Sequence, residues 1–569
     1  LRDGSAELIA RPYAPTFGGI MTRKLVGLTS KSRLAKRLAG VGALGVSVLA
    51  IGVLYACSGD DNSTTAPPVN DAGPNEGDSA PITNPDGGPI TTPDGGDAST
   101  PPPSCESLPG TIVYIESADT QEALLDTVGR QLRDKADVTL VFLLTGSCTV
   151  TPAMYGTGGP TAMPATTSML YIPSTAESST WTPAVPEFAC TLSQSETPDL
   201  GIAALFPSSC AGYSSLPQGS IQQYIGPTQA YTFIVPSAEY TNGQTSISAP
   251  EAYYAFGDGA DNPVTPAEWN VPADFYLRPG TKSTLVSTAA NIHLKSAQMT
   301  DVLPDGGTAD GRNLVPSSGG CESAVASATP LPQAIGILGD EVYDSNRAAG
   351  VNILAFKTFG QNFAYFPDST ATSYDKQNIR DGHYTLWSPD VYMAPSTGGV
   401  PTNPTVKYLL DIILGNPGAT TPDGGANPID GLQITAGVGL TPSCAMQVTR
   451  TQDGTQTNGQ EVNPYAPTAP CTCKFLSDLV AAGKQGVTVP ASCTACTTAA
   501  DCSDAAGALG CFNGFCETAP TPLTLGGTDA GTCDDTVSSG INACTNAAWI
   551  LKDVTIPTLS DGGLEPVTQ

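Results

Sequence analysis

Apolar and polar positions along the middle of this chain fall into blocks with two different periods. Thr111–Glu116 (TIVYIE) is rich in β-branched and aromatic residues and predicts a strand. Thr120–Lys135 sets Ala123, Leu124, Val128 and Leu132 on one face at helical spacing. Val138–Leu144 (VTLVFLL) is apolar apart from Thr139, the pattern of a parallel strand buried on both faces. Strand, helix and strand in so short a stretch predict a βαβ unit. Further strands are predicted at Tyr231–Val235 and Ile353–Phe356. Helices are predicted at Thr405–Leu414, stopped by Gly415 and Pro417, and at Lys474–Ala482. Alternating strands and helices indicate an α/β fold.

Two segments lack such periodicity. Leu38–Ala56 carries no charge, follows the basic residues Arg23, Lys24, Lys31, Arg33, Lys36 and Arg37, and ends at Cys57. A transmembrane anchor and a cleaved signal segment both fit this pattern. Leu54-Tyr55-Ala56-Cys57 resembles a bacterial lipobox, which implies cleavage before Cys57, lipidation of its thiol and Met21 as the start of the signal proper. Ser58, rather than Asp, after that cysteine suits outer-membrane sorting. Residues 58–104 contain no Lys or Arg and repeat Pro-Asp-Gly-Gly at Pro85–Gly88 and Pro93–Gly96. They cannot bury enough apolar surface to offset chain entropy and predict a disordered stalk. The same tetrapeptide recurs at Pro304–Gly307 and Pro422–Gly425, where it predicts surface loops.

Charge and composition narrow the function. The 569 residues carry 53 Asp and Glu against 24 Lys and Arg, a formal charge of −29. Removing residues 1–56 leaves 16 basic and 51 acidic residues and a charge of −35. Few cations remain to build a phosphate-tracking face, so nucleic acid is excluded as a partner. With His293 and His383 the only histidines, no His-based metal site is expected. No cofactor is expected, and no nucleophile elbow, metalloprotease helix or P-loop occurs. The chain therefore reads as a non-enzyme, with both histidines as structural residues. Trp387, Phe356, Phe359, Phe363, Tyr365 and Phe366 read as core. The 16 cysteines suit an exported, oxidised protein. Cys471, Cys473, Cys493, Cys496, Cys502, Cys511 and Cys516 predict a disulfide-rich module whose pairing the spacing leaves open. Cys533 and Cys544 are candidates for a further bridge. Fifteen cysteines besides the lipidated Cys57 leave at least one unpaired within the mature chain.

The loop Ser117-Ala118-Asp119 lies between a strand's carboxyl end and a helix's amino end. Ligand crevices form there in open α/β sheets, and free N–H groups favour anions. Plain N-capping by Ser117, Asp119 or Thr120 fits equally.

Several segments in order resemble the phosphate-type solute-binding proteins of ABC importers, over about residues 110–395. Ser117–Thr120 resembles that family's first ligand loop, Thr145-Gly146-Ser147-Cys148 its Gly-Ser turn, and Asp199–Ala204 its third strand. Tyr253–Trp269-Asn270 resembles its Trp-Asn helix and loop, and Arg278–Thr284 (RPGTKST) its arginine and Ser-Gly-Thr loop. Gly319-Gly320 with Ala334-Ile335-Gly336 matches a later strand, and His383–Leu386 the crossover back to the first lobe. Ala203-Ala204 replaces Ser-Asp, and Lys282-Ser283 replaces Ser-Gly. The lost carboxylate would otherwise accept the proton of a protonated phosphate.

The resemblance implies a two-lobed, type 2 periplasmic-binding-protein-like α/β fold with a disulfide-rich C-terminal insert. Lobe 1 would comprise 105–235 plus 384–470 and lobe 2 236–383, with the Cys-rich module at 471–545 and a tail at 546–569. It implies a lipid-anchored extracytoplasmic solute-binding protein, periplasmic or facing the cell surface. Its partners would be a small anionic solute, an ABC permease and the membrane. Ser117, Thr120, Ser147, Arg278, Lys282, Ser283 and Thr284 would line the ligand cleft. The alternative is a surface interaction or adhesion lipoprotein on the same fold.

Overall fold

A computed structural model describes residues 101–518 except 184–186, 217–218, 243–244, 258–268, 270, 301–310, 329–333, 348, 360, 362–363, 457–460 and 503–508. All belong to the second of the chain's two units, Asp78–Gln569; the first is Leu1–Gly77. The signal segment, Cys57, the stalk before residue 101, Asn270, Pro304–Gly307, Phe363, Cys533, Cys544 and the C-terminal tail lie outside the described residues. Among the described residues no helix is long and apolar enough to cross a membrane.

The chain begins with β1 (Thr111–Ala118), α1 (Glu122–Lys135), β2 (Val138–Thr145), α2 (Ser147–Met154), β3 (Ser168–Tyr171), β4 (Phe188–Thr191), β5 (Leu200–Ala203) and β6 (Ile221–Pro236). It continues through α3 (Ser237–Asn242), β7 (Ser246–Ser248), α4 (Ala249–Gly257), β8 (Phe275–Leu277), α5 (Ser283–Asn291), α6 (Ser296–Thr300) and β9 (Asn313–Leu314). Then come α7 (Ser318–Ser327), β10 (Ile335–Gly339), α8 (Asp340–Ser345), β11 (Val351–Ile353), β12 (Ala355–Lys357) and α9 (Gln377–Asp381). The last part holds β13 (Trp387–Thr397), α10 (Pro404–Ile413), α11 (Gly431–Gly437) and α12 (Thr472–Ala481).

The protein is a mixed α/β structure around one large sheet, ordered β4-β3-β2-β1-β5-β13-β6-β10-β8-β9. β1 and β2 run parallel, Thr111 opposite Val138, as the βαβ pattern predicts. The helix between them starts later than its periodicity suggests, and Ala123 is exposed. Leu124, Leu125, Val128 and Leu132 pack instead against Val113, Ile115, Leu140 and Phe142.

β6 organises the molecule. Its first part pairs antiparallel with β13, from Ile221 opposite Pro395 to Ala230 opposite Trp387. Its last part pairs with β10, Tyr231 opposite Gly339. One strand therefore belongs to two sheet halves, each with its own core. Leu124, Phe142, Leu409 and Ile413 belong to the first, and Phe233, Phe256, Phe275 and Phe356 to the second. The predicted strand covered only Tyr231–Val235, because Gln222, Gln223, Gly226 and Pro227 break the apolar pattern of the earlier part. Pro227 is tolerated because the ladder is already irregular there: the register shifts between Pro389 and Val391 of β13. Ile353–Phe356 is likewise two strands divided at Leu354. Trp387, Phe356, Tyr365 and Phe366 are buried, with Phe359 packed against the second core.

Among the described residues six disulfides staple the fold. Cys473–Cys493, Cys496–Cys511 and Cys502–Cys516 knit the Cys-rich module, and Cys444–Cys471 joins it to the main body. Glu517 of that module accepts from the N–H groups of Thr472 and Cys473, each at 3.0 Å, and so caps α12. Cys105–Cys190 and Cys148–Cys210 close loops in the first half. Among the described residues Cys321 is the free thiol, and it is buried.

Candidate functional site

β1 ends at Ala118, where Asp119–Gln121 forms a short 3-10 turn before α1. Neither turn nor helix has a side-chain cap at its N-cap residue, so the N-capping role open to Ser117, Asp119 or Thr120 is not taken up. Asp119 instead reaches across to the second sheet half. Its Oδ2 lies 2.6 Å from Arg278 Nη2 and 2.9 Å from Lys282 Nζ. Arg278 follows β8 and is fully buried. Its guanidinium also donates to Ser318 Oγ and, at 2.8 Å, to the Pro316 carbonyl. Lys282 Nζ donates to the Thr145 carbonyl at 3.0 Å. The two cations expected to clamp a ligand thus hold a carboxylate of the chain itself.

The two halves touch again beside this junction. The Cys148 N–H donates to the Thr281 carbonyl at 3.0 Å. Gly146 makes that approach feasible, since a Cβ on it would stand 2.6 Å from the Thr281 oxygen. Gly146→Ala should therefore push the 279–282 loop away at a cost of about 1–3 kcal/mol, the usual range for overpacking. Urea unfolding would measure it, and an unchanged midpoint would mean the loop yields freely.

The remaining candidates divide. Ser147 Oγ accepts from the Ala204 N–H at 3.0 Å and is occupied, while the Cys148–Cys210 disulfide fixes that helix start. Ser117 is fully buried and donates to its neighbour's carbonyl, Ala118, at 3.1 Å. Thr120 Oγ1, Thr284 Oγ1 and Arg278 Nε are buried without a hydrogen-bond partner, and the Ser283 hydroxyl lies against that of Tyr231. Ser283 and Thr284 open α5, whose N-cap residue Lys282 makes no side-chain cap bond. The first N–H groups of that helix therefore add to the donors with positive character.

An acidic wall adjoins this cluster, and the resemblance gave no sign of it. A cavity of about 220 Å³ is lined by Asp119, Thr120, Glu122, Asp126, Ser318 and Glu341, among others. Asp119 and Ser318 touch Arg278 as well, so cavity and cationic pair are contiguous. Burial, with Glu187 and Asp126 close by, pushes Glu122 up to about 11, and burial and Glu187 raise Asp126. Burial pushes Glu341 up to about 8 and Glu116 up to about 7. A larger cavity of about 660 Å³ lies among the loops around Asn416 and Pro428. Its one basic residue, Lys474, is already paired with Asp430 and Asp478.

The raised carboxyls set a direction for stability. Folding keeps protons on Glu341 and Glu116 that the unfolded chain loses near pH 4.5, so stability should fall as pH rises from about 4.5 to 8. Glu341→Gln should flatten that decline when melting is followed between pH 5 and 8. A variant profile parallel to the parent's would assign the slope to other groups.

The histidines have partners elsewhere. His293 stacks on Phe359 and lies 2.7 Å from Thr455 Oγ1, and His383 Nδ1 lies 2.7 Å from Asp381.

No family model matches the sequence, and no curated protein does. Solved structures similar to this chain include an ABC-type phosphate transport receptor from Vibrio cholerae, at 12% identity over 50% of this chain and 88% of that one, TM-score 0.31. PstS from Borrelia burgdorferi matches at 12% identity over 58% of this chain and 98% of its own, TM-score 0.32. The regulatory domain of Synechocystis CcmR, in complex with 2-PG, matches at 10% identity over 52% and 94%, TM-score 0.28. At such scores the ligand has to be argued from the site itself.

Proposed function

We propose that this protein is an exported solute-binding protein that closes two lobes, 105–235 plus 384–470 and 236–383, around a small anion at the Arg278–Lys282 pair. The observation that carries this reading is a cation pair, Arg278 fully buried and Lys282 half-buried, that reaches a group of the opposite sheet half beside the amino end of α5. A solute anion would take the place that the Asp119 carboxylate holds on this pair. Ala204 supplies no acceptor for a ligand proton, which favours sulfonates, sulfate and carboxylates over protonated phosphate. Lipidation at Cys57, an outer-membrane location and an ABC permease as partner belong to the same proposal. The stalk of residues 58–104 would hold the domain off the membrane.

Thermal unfolding of the whole chain against sulfate, phosphate, sulfonates and carboxylates tests it. A ligand at 100 times its Kd should add about 2.7 kcal/mol. Lys282→Met should weaken that effect by about tenfold, since a charge-assisted contact is lost. The carboxylate already seated on the pair favours the surface-interaction alternative, and no response to any anion would select it.

A further inference from the structure

The Cys-rich module lies against both sheet halves, and its two attachments differ in kind. On the first half, α12 packs on α11: Phe475, Leu476 and Leu479 meet Leu432, Ala436 and Ala445. Ile434 of α11 sits in turn in the first core with Leu409 and Ile413. Lys474 Nζ lies 2.7 Å from Asp430 Oδ2, and the Cys444–Cys471 disulfide closes the same junction. This side is covalent and apolar. The turn after α12 reaches the second half. Lys484 Nζ stands 5.2 Å from the centre of the Tyr374 ring. A Cβ on Gly486 would lie 2.8 Å from Ser373 Cα, so the two backbones touch there. Arg380 of α9 lies over the Phe475 ring at 5.9 Å and attracts Glu517 of the module. Ser373, Tyr374 and Arg380 are held by the second half: Ile379 is in its core, and Arg347, which pairs with Asp344 of α8, stacks on Tyr374. Lys484 is half-buried and Gly486 exposed, so this side is a surface contact. A cation leaving a ring there regains water, and the contact is weak.

Resting on the two-lobe reading, we infer that the Cys-rich module is a strap that holds the sheet halves closed, fastened permanently to the first and releasably to the second. Gly439, just beyond α11, would carry a Cβ 3.4 Å from the Glu341 Cα of α8, and Glu341 lines the cavity beside Asp119. α11 and α8 therefore meet at the edge of the cleft. Parting the halves there pulls the module's two attachments away from each other, and the Lys484–Gly486 contact is the one that yields. α8 joins the releasable end to the cleft: Asp344 attracts Lys484, while Glu341 and Ser345 line the cavity. The strap thus sets how often the cleft opens, as a hinge closure needs a contact that forms in one state and breaks in the other.

Hydrogen exchange resolved to single amides, on the whole chain, tests this. The Cys148 amide donates to the Thr281 carbonyl of the other half and reads the parting of the halves. The Cys516 amide, 2.8 Å from the Thr494 carbonyl, reads the module itself. Lys484→Glu turns an attraction to Asp344 into a repulsion and should speed Cys148 exchange by about threefold or more. Gly486→Ala, at φ +67° and against the Ser373 backbone, should speed it by about tenfold. The Cys516, β1 and β2 amides should keep their parent rates in both. Lys484→Glu leaves the backbone of the turn as it is, so it decides the matter if Gly486→Ala also frees Cys516. A Cys148 amide that opens locally in the parent and at the same rate in Lys484→Glu would overturn the strap and leave the two lobes standing. A Cys148 amide that exchanges only with the β1 and β2 amides, in parent and variants alike, would mean that the halves never part, and the two-lobe reading would fall with the strap.

Discussion

Asp119→Asn should raise anion affinity at least tenfold. The Asp119 carboxylate lies 2.6 Å from Arg278 and 2.9 Å from Lys282, and any solute anion must displace it first. A tethered competitor acts at an effective concentration in the millimolar range or above, so its removal lowers the apparent Kd directly. The same change leaves the fully buried Arg278 with less compensation. Breaking one partner out of a buried pair costs about 3–5 kcal/mol; Lys282 and Asp119 keep some solvent contact, so the lower end applies. The variant should melt below the parent without ligand and recover with sulfate or a sulfonate. Calorimetry and melting on the same samples read both effects. Lower stability with no gain in anion affinity would make the Asp119 bridge a structural strap between the halves, and the surface-interaction reading would then hold.

Lys376→Met should be the most destabilising single change in the second half, by about 3–5 kcal/mol. Lys376 Nζ is buried among Asp340, Asp344 and Asp368, at 2.5 Å from Asp344 and 3.3 Å from Asp368. These three carboxylates converge as they would on a metal ion, and the lysine ammonium supplies the positive charge. Their attraction raises the Lys376 pKa well above its usual value against the opposing effect of burial. Arg347 already shares Asp344 and Asp368 and cannot replace the lost charge. Methionine keeps the volume but strands negative charge in the core. Urea unfolding at pH 7 measures the loss, which should shrink at acid pH as the carboxyls protonate. A loss under about 1 kcal/mol would show that the aspartates already share protons and need no cation.

Cysteine count and spacing pointed to a disulfide module, and six bridges are present among the described residues. Their pairing was not legible, because it depends on which chain segments meet: Cys471 leaves the module to join Cys444. The long strand β6 was half hidden, since Gln222 and Gln223 stand at its exposed start while Thr228 and Gln229 are polar residues buried where two irregular strands match. Gln229 is fully buried there and accepts from Gln121 Nε2 at 2.9 Å.

Local pattern was sufficient for the βαβ start, the α/β class and the amphipathic helices, because each follows from side-chain period within one segment. The family resemblance, not pattern, selected Arg278, Lys282, Thr120, Ser283 and Thr284 as cleft residues. It could not supply their occupant. Asp119 lies 159 residues from Arg278, and only the folding of two halves onto one shared strand brings them within hydrogen-bond range. The acidic wall was equally hidden: Glu122 and Glu341 look like ordinary surface charges until two distant segments bring them to one space, with Glu187 against Glu122. Burial and charge proximity are properties of the assembled halves, and they decide what the cleft can hold.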